Sequence, residues 1–84
     1  MNNKLKKLVG IHTRYYFVSA TTRDGEFEYR QNATYISQRD VSQKEMEKFA
    51  DEWFGYKGSY QEVELDSWQE IPKTHYDILK KYGI

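Results

Sequence analysis

Two stretches in the first half of the chain are rich in β-branched and aromatic residues, which favour β-strands. They cover residues 11–22 and 26–36. Between them lies Asp24-Gly25, a dipeptide typical of two-residue hairpin turns because these turns need positive φ angles. The pattern therefore predicts an antiparallel hairpin.

The predicted turn sets the register of the hairpin by pairing Thr22 with Phe27. On the second strand, the residues of one parity are mostly apolar and should face the core. The register then turns every other residue of the first strand outward, so Tyr15 and Phe17 lie on the outer face. The predicted inner face consists of Tyr16, Val18, Ala20, Phe27, Tyr29, Ala33 and Tyr35.

The segment DVSQKEMEKFADEWFG has the start and the periodicity of an amphipathic helix. Ser42 and Glu45 have the spacing of a capping box. Gly55 is placed where a helix commonly ends. Four apolar residues follow the spacing of one helical face and should pack on the sheet: Met46, Phe49, Ala50 and Trp53.

Polar and apolar residues alternate over residues 60–68, which predicts a third strand. Val63 and Leu65 share one parity with Ile71 and should face the core. The other parity should face outward, beside Tyr15 and Phe17. It comprises Tyr60, Glu62, Glu64, Asp66 and Trp68.

A second helix is predicted in the tail, with Pro72 at its first position and Gly83 at its end. The order of elements is thus ββαβα within one domain, residues 1–84. A right-handed crossover puts the third strand beside the first. We expect a small α+β fold with a three-stranded antiparallel sheet of order 2-1-3 and two helices. Whether the second helix covers the outer face stays open.

The composition of the chain bears on the cellular compartment in which the protein is expected. The 84 residues include no cysteine, which is compatible with a reducing compartment, and no apolar run long enough to span a bilayer. We therefore expect a cytoplasmic protein without a membrane partner. The net charge is zero, but residues 1–39 carry +4 and residues 40–84 carry −4.

Candidate chemistry is sparse. His12 and His75 are far apart in sequence and suggest neither a catalyst nor a metal site. Glu62, Glu64 and Asp66 share one face of the third strand and could bind Mg²⁺ or act as an acid and base. A solvated strand face is the simpler interpretation of these carboxylates, so we expect no enzyme, no metal and no cofactor.

The hairpin TTRDGEFEYRQNATY and the tail EIPKTHYDILKKYGI resemble the small α+β proteins that phages and mobile elements encode, anti-CRISPR proteins among them. The resemblance covers most of the chain in size, element order and polar-aromatic composition. It implies a non-enzymatic inhibitor that blocks a host defence complex, with a nucleoprotein as the possible partner. No family motif is matched residue by residue.

The sequence thus favours a small protein-binding module that acts by occupying a partner's surface. The predicted contact surface is an outward patch of aromatic and acidic residues: Tyr15, Phe17, Tyr60, Glu62, Glu64, Asp66 and Trp68. The alternative is a nucleic-acid-binding regulator that uses the same sheet face and a basic leader with Lys4, Lys6 and Lys7.

Overall fold

A computed structural model describes residues 12–57 and 62–84 of the chain. It has three antiparallel strands in the order β2-β1-β3 and two α-helices, so the predicted α+β fold and the ββαβα order are confirmed. The elements are β1 (Arg14–Asp24), β2 (Phe27–Ser37), α1 (Gln43–Ala50), a π-helical segment (Asp51–Lys57), β3 (Glu62–Ile71) and α2 (Lys73–Lys81).

The hairpin forms as predicted, but its register differs from the expected one by two residues. Asp24 pairs with Phe27, so Gly25 and Glu26 are the central residues of the turn. Gly25 has a φ of +64°, as primed turns require at their first central position. Because the shift is an even number of residues, each side chain keeps its predicted face of the sheet.

The core lies between the inner face of the sheet and α1. Ser42 caps α1 as predicted, since its Oγ accepts a hydrogen bond from the backbone N–H of Glu45 at 3.1 Å. The cap fixes where the helix starts and therefore which face it turns to the sheet. The buried apolar residues are Tyr16, Val18, Ala20, Ala33, Met46, Ala50 and Phe54.

The end of the first helix differs from the prediction. Instead of stopping at Gly55, the chain continues through it as the π-helical segment. A π turn holds more residues than an α turn, because its hydrogen bonds span one residue more. Phe54 consequently takes the inward position over the sheet, whereas Trp53, predicted to be in the core, is 44% exposed.

A β-bulge corrects the predicted faces of β3. Ser19 pairs with Ser67, but Ala20 pairs with Leu65, so Asp66 is an extra residue in β3. An extra residue reverses the alternation of side chains beyond it. Trp68 therefore lies opposite Val18 and faces inward, contrary to the prediction.

The same reversal moves Ile71 from the predicted inner face to the outer face, opposite Tyr15. It thereby joins the apolar end of the outer face, which α2 covers. Because of the bulge, Trp68 lies on the inner face instead of the outer one, and Ile71 lies on the outer face instead of the inner one.

The second helix packs on the outer face of the sheet. The rings of Tyr15 and Tyr76 lie 4.8 Å apart, and Thr34 Oγ1 donates a hydrogen bond to the carbonyl of Ile84 at 3.0 Å. Gly83, with a φ of +80°, follows the C-cap Tyr82, and the N–H of Ile84 bonds to the carbonyl of Leu79 in a Schellman motif. The outer face is therefore partly covered.

Candidate functional site

Of the predicted outward aromatic patch, the structure places Tyr15 and Phe17 on the expected face and Trp68 on the other. Tyr15 and Phe17 are on the outer face but only partly exposed, at the end that α2 covers. Trp68 faces inward and packs on Tyr16, with 5.6 Å between the ring centroids. Tyr60 lies outside the described residues. A protein-binding role for these residues stays a prediction.

On the outer face, two of the predicted acidic residues, Glu62 and Glu64, lie close to the guanidinium group of Arg23. Arg23 Nη2 lies 3.1 Å from Glu64 Oε1, and Arg23 Nη1 lies 3.9 Å from Glu62 Oε2. On the other side, Arg23 Nε donates to Glu28 Oε2 at 3.0 Å. The hydrogen bonds to Glu64 and then Glu28 raise the pKa of Arg23. Asp66 Oδ2 accepts a hydrogen bond from Thr21 Oγ1 at 2.7 Å.

The remaining candidates are the two histidines, a carboxylate metal site and the basic leader. Within residues 12–57 and 62–84, no group of three or more His, Asp or Glu residues is arranged to hold a metal ion. His12 and His75 are both exposed. The basic leader with Lys4, Lys6 and Lys7 lies outside the described residues.

The structure brings together a different set of aromatic side chains, which we call the aromatic ladder: Tyr35, Phe49 and Trp53. The rings of Tyr35 and Phe49 are 4.6 Å apart and tilted by 52°. Phe49 and Trp53 are stacked, with centroids 6.1 Å apart and an angle of 19° between the rings. The ladder runs from the edge strand β2 to the exposed indole of Trp53.

Local geometry explains why these rings align. Phe49 and Trp53 are four residues apart, a spacing that places side chains above one another on a helix. The wider π turn moves Trp53 off the centre of the inward face and toward the side where Phe49 lies. Tyr35 extends the row because its strand position faces α1, whose Phe49 it contacts.

Two members of the ladder, Tyr35 and Phe49, line a surface groove of about 660 Å³, and Trp53 stacks on Phe49 beside it. Glu45 holds one side of this groove in place: its Oε2 accepts hydrogen bonds from Tyr35 Oη at 3.2 Å and from Arg39 Nη2 at 3.4 Å. Burial first, and the bond to Glu45 second, raise the pKa of the Tyr35 hydroxyl. The lining residues are Tyr35, Arg39, Ser42, Lys44, Glu45, Lys48, Phe49 and Glu52.

Charges of both signs surround the groove. Arg39, Lys44 and Lys48 contribute three positive charges, and Glu45 and Glu52 contribute two negative ones. Lys48 Nζ and Glu52 Oε1 are 3.9 Å apart and form a loose ion pair between residues four positions apart on the helix. A nearly neutral rim around aromatic rings suits the docking of an amphipathic or aromatic side chain from another molecule.

Sequence reasoning missed this groove because it assigned Phe49 and Trp53 to the core. The helical spacing of the two residues is the same in a buried stripe and in an exposed stack. One signal was present in the sequence: Phe54 is an apolar residue next to Trp53, and both cannot take the innermost position of one helix.

Comparison with known proteins does not assign the chain to a family. No protein-family model matches the chain, and no curated protein or solved structure matches it significantly. None of the helices in the described ranges has the length and apolar composition needed to cross a bilayer.

Proposed function

We propose that the protein is a small non-enzymatic binding module and that the groove beside the aromatic ladder is its protein-contact surface. The observation that carries the proposal is the stacking of the exposed Trp53 on Phe49. Trp, Tyr and Arg are the residues that most often dominate binding energy at protein interfaces. Tyr35 and Arg39 line the groove, and Trp53 stacks on its lining residue Phe49.

The ladder favours binding because its side chains are already ordered. Trp53 is held by Phe49, and Tyr35 is held by its hydrogen bond to Glu45. A side chain that is ordered before association loses less conformational entropy when a partner docks. The proposal requires an apolar or aromatic group of the partner to cover Trp53.

The proposed mechanism is steric. By occupying a surface that its partner needs, the module inhibits that partner without chemistry. The resemblance to small phage proteins of the anti-CRISPR kind makes a cytoplasmic host defence complex the first partner to test. The nuclease activity of such a complex, measured with and without the protein, tests this narrower hypothesis directly.

Nucleic acid is the second candidate for the same groove. Aromatic rings beside cations can stack single-stranded bases, and Arg39, Lys44 and Lys48 flank the ladder. Glu45 and Glu52 offset two of these three charges, which favours the protein partner. Binding of a labelled single-stranded oligonucleotide that weakens steeply with added salt would instead support this alternative.

The experiment that tests the proposal compares two aromatic truncations. Trp53→Ala removes the exposed end of the ladder, and Tyr82→Ala is the matched control, an exposed ring (78%) beside α2. In a pull-down from host lysate followed by calorimetry with the captured protein, Trp53→Ala should weaken binding by about 2 kcal/mol, or ~30-fold. Tyr82→Ala should bind like the wild type.

Both variants must retain the melting temperature of the wild type for this comparison to report on binding. Equal capture of one partner by the wild type and by Trp53→Ala would contradict the proposal. Loss of capture in both variants would place the contact surface on α2 rather than at the groove.

A further inference from the structure

Strand β2 is an edge of the sheet. Among the described residues it has β1 on one side and no strand on the other. Asp24 and Phe27 flank the two-residue turn, so they form a hydrogen-bonded pair, and bonding to β1 alternates from there. The even-numbered residues from Glu28 to Ile36 therefore direct their N–H and C=O groups away from β1. No proline interrupts this row.

We propose that this edge pairs with β2 of a second copy of the chain, antiparallel, about a two-fold axis at Tyr29. The two sheets then join into one of six strands. In this register Glu28 lies opposite Arg30 of the second copy, and Arg30 lies opposite its Glu28. Directly opposite side chains of unlike charge stabilise a strand pair.

The charges select this register among its neighbours. An axis at residue 28 would place Glu28 against itself, and an axis at residue 30 would place Arg30 against itself. Like charges directly opposite each other are destabilising. Arg30 is exposed, and the described part of the chain gives it no ion pair. The proposed register supplies two such pairs, one on each side of the axis.

The opposite face of the same segment carries exposed aromatic rings. Phe27 is 67% exposed and Tyr29 is 44% exposed. About the proposed axis, Tyr29 lies opposite its own copy, and Phe27 lies diagonally from Tyr29 of the second copy, within reach of an aromatic side chain. Pairing therefore brings four partly exposed rings together on one face, so strand addition also removes apolar surface from water.

A second copy suits this edge better than an unrelated strand because the segment is complementary to itself in both charge and aromatic content. The two-fold axis repeats each charge pair and each aromatic contact once more, as in isologous dimers generally. The groove beside the aromatic ladder does not take part in this pairing, so dimerisation and the proposed groove binding can fail independently.

The test uses two charge variants of the full chain, alone and mixed. Arg30→Glu places Glu opposite Glu28 across the axis, and Glu28→Arg places Arg opposite Arg30. Each variant alone should dimerise about tenfold more weakly than the wild type, which corresponds to ~1.4 kcal/mol. An equimolar mixture restores unlike charges at both positions, so a heterodimer should form with the affinity of the wild-type dimer.

Sedimentation over a range of concentrations measures the outcome, because a dimer has twice the monomer mass of 10.1 kDa. Melting curves identify any loss of folding, which matters for Glu28→Arg because Glu28 also pairs with Arg23. A wild type that remains monomeric at every concentration overturns the proposal. The β2 edge would then be available for pairing with a strand of another protein. Variants that dimerise undiminished, or a mixture that is not restored, also overturn it.

Discussion

At Tyr35, burial and a neighbouring carboxylate act on a single hydroxyl group. Tyr35 Oη donates to Glu45 Oε2, and both influences raise its pKa above the ordinary value of ~10. The folded state thus holds this proton more tightly than the unfolded state. The resulting stabilisation is fully present below pH ~10 and is lost as the pH rises through the folded-state pKa.

Tyr35→Phe tests this assignment. At neutral pH the variant should be less stable by about 1 kcal/mol, the net value of one hydrogen bond. Above pH ~10 the difference from the wild type should shrink, since the phenyl ring of the variant has no proton to lose. Urea unfolding at several pH values measures both free energies. A difference that stays constant with pH would show that the hydroxyl does not titrate differently on folding.

Truncation of the two tryptophans should affect stability to different extents. Trp68 packs edge-on against Tyr16, and its Nε1 donates to Gln43 Oε1 at 3.1 Å. Trp68→Ala should lower the free energy of unfolding by about 2–3 kcal/mol, less than for a fully buried aromatic. Trp53→Ala should change it by less than about 1 kcal/mol. Equal losses in chemical denaturation would contradict the inward assignment of Trp68.

At the scale of elements, β3 shows how one residue changes the face of several others. Alternation correctly placed Val63 and Leu65 inside, because both precede the bulge. It failed for Trp68 and Ile71, which follow the extra residue Asp66. Nothing in the local sequence marks the bulge, since it depends on how β3 pairs with β1. For this reason Trp68 does not share the outer face with Tyr15 and Phe17.

Deletion of Asp66 should leave the fold in place. Without the extra residue, Leu65 and Ser67 still lie opposite Ala20 and Ser19, so the inward side chains on both sides keep their places. The cost is the hydrogen bond from Thr21, about 1 kcal/mol. The melting temperature measures it.

Deletion of Glu64 is the matched control, because it moves the inward Val63 to the other face of the strand. This deletion should destabilise the protein clearly more than deletion of Asp66. The bulge assignment is wrong if the two deletions have the same effect.

The first helix shows the same limit of sequence patterns. Its start is set by Ser42 and was predictable from the capping residues alone. Its end depends on which of Trp53 and Phe54 fits against Ala20 and Ala33 of the sheet. The sequence contains both candidates, and only packing chooses between them. The exposed tryptophan at the end of the aromatic ladder results from that choice.

At the scale of the whole molecule, the topology was the most predictable property. Hairpin, helix and returning strand are adjacent in sequence, and the handedness of the crossover leaves one simple arrangement. The aromatic ladder combines an edge strand with a helix end, so no single segment encodes it. This is why the fold could be predicted from the sequence and the groove could not.

The position of α2 on the outer face of the sheet determines how much stability its removal should cost. The core lies on the inner face and includes no residue of α2, and no residue of α2 is fully buried. Removing residues 73–84 should therefore lower the free energy of unfolding by roughly 2–3 kcal/mol, the value of one or two partly buried aromatic contacts. Circular dichroism should still show a cooperative transition.

The shortened chain also separates the two surfaces. It uncovers Tyr15 and Phe17, while the ladder on the opposite face keeps its contacts with α1. A partner that binds at Trp53 should bind the shortened chain with unchanged affinity, as calorimetry would measure. If the shortened chain is unfolded, the outer face is a second core. If it folds but loses the partner, α2 or the surface near it makes the contact, and the aromatic ladder does not.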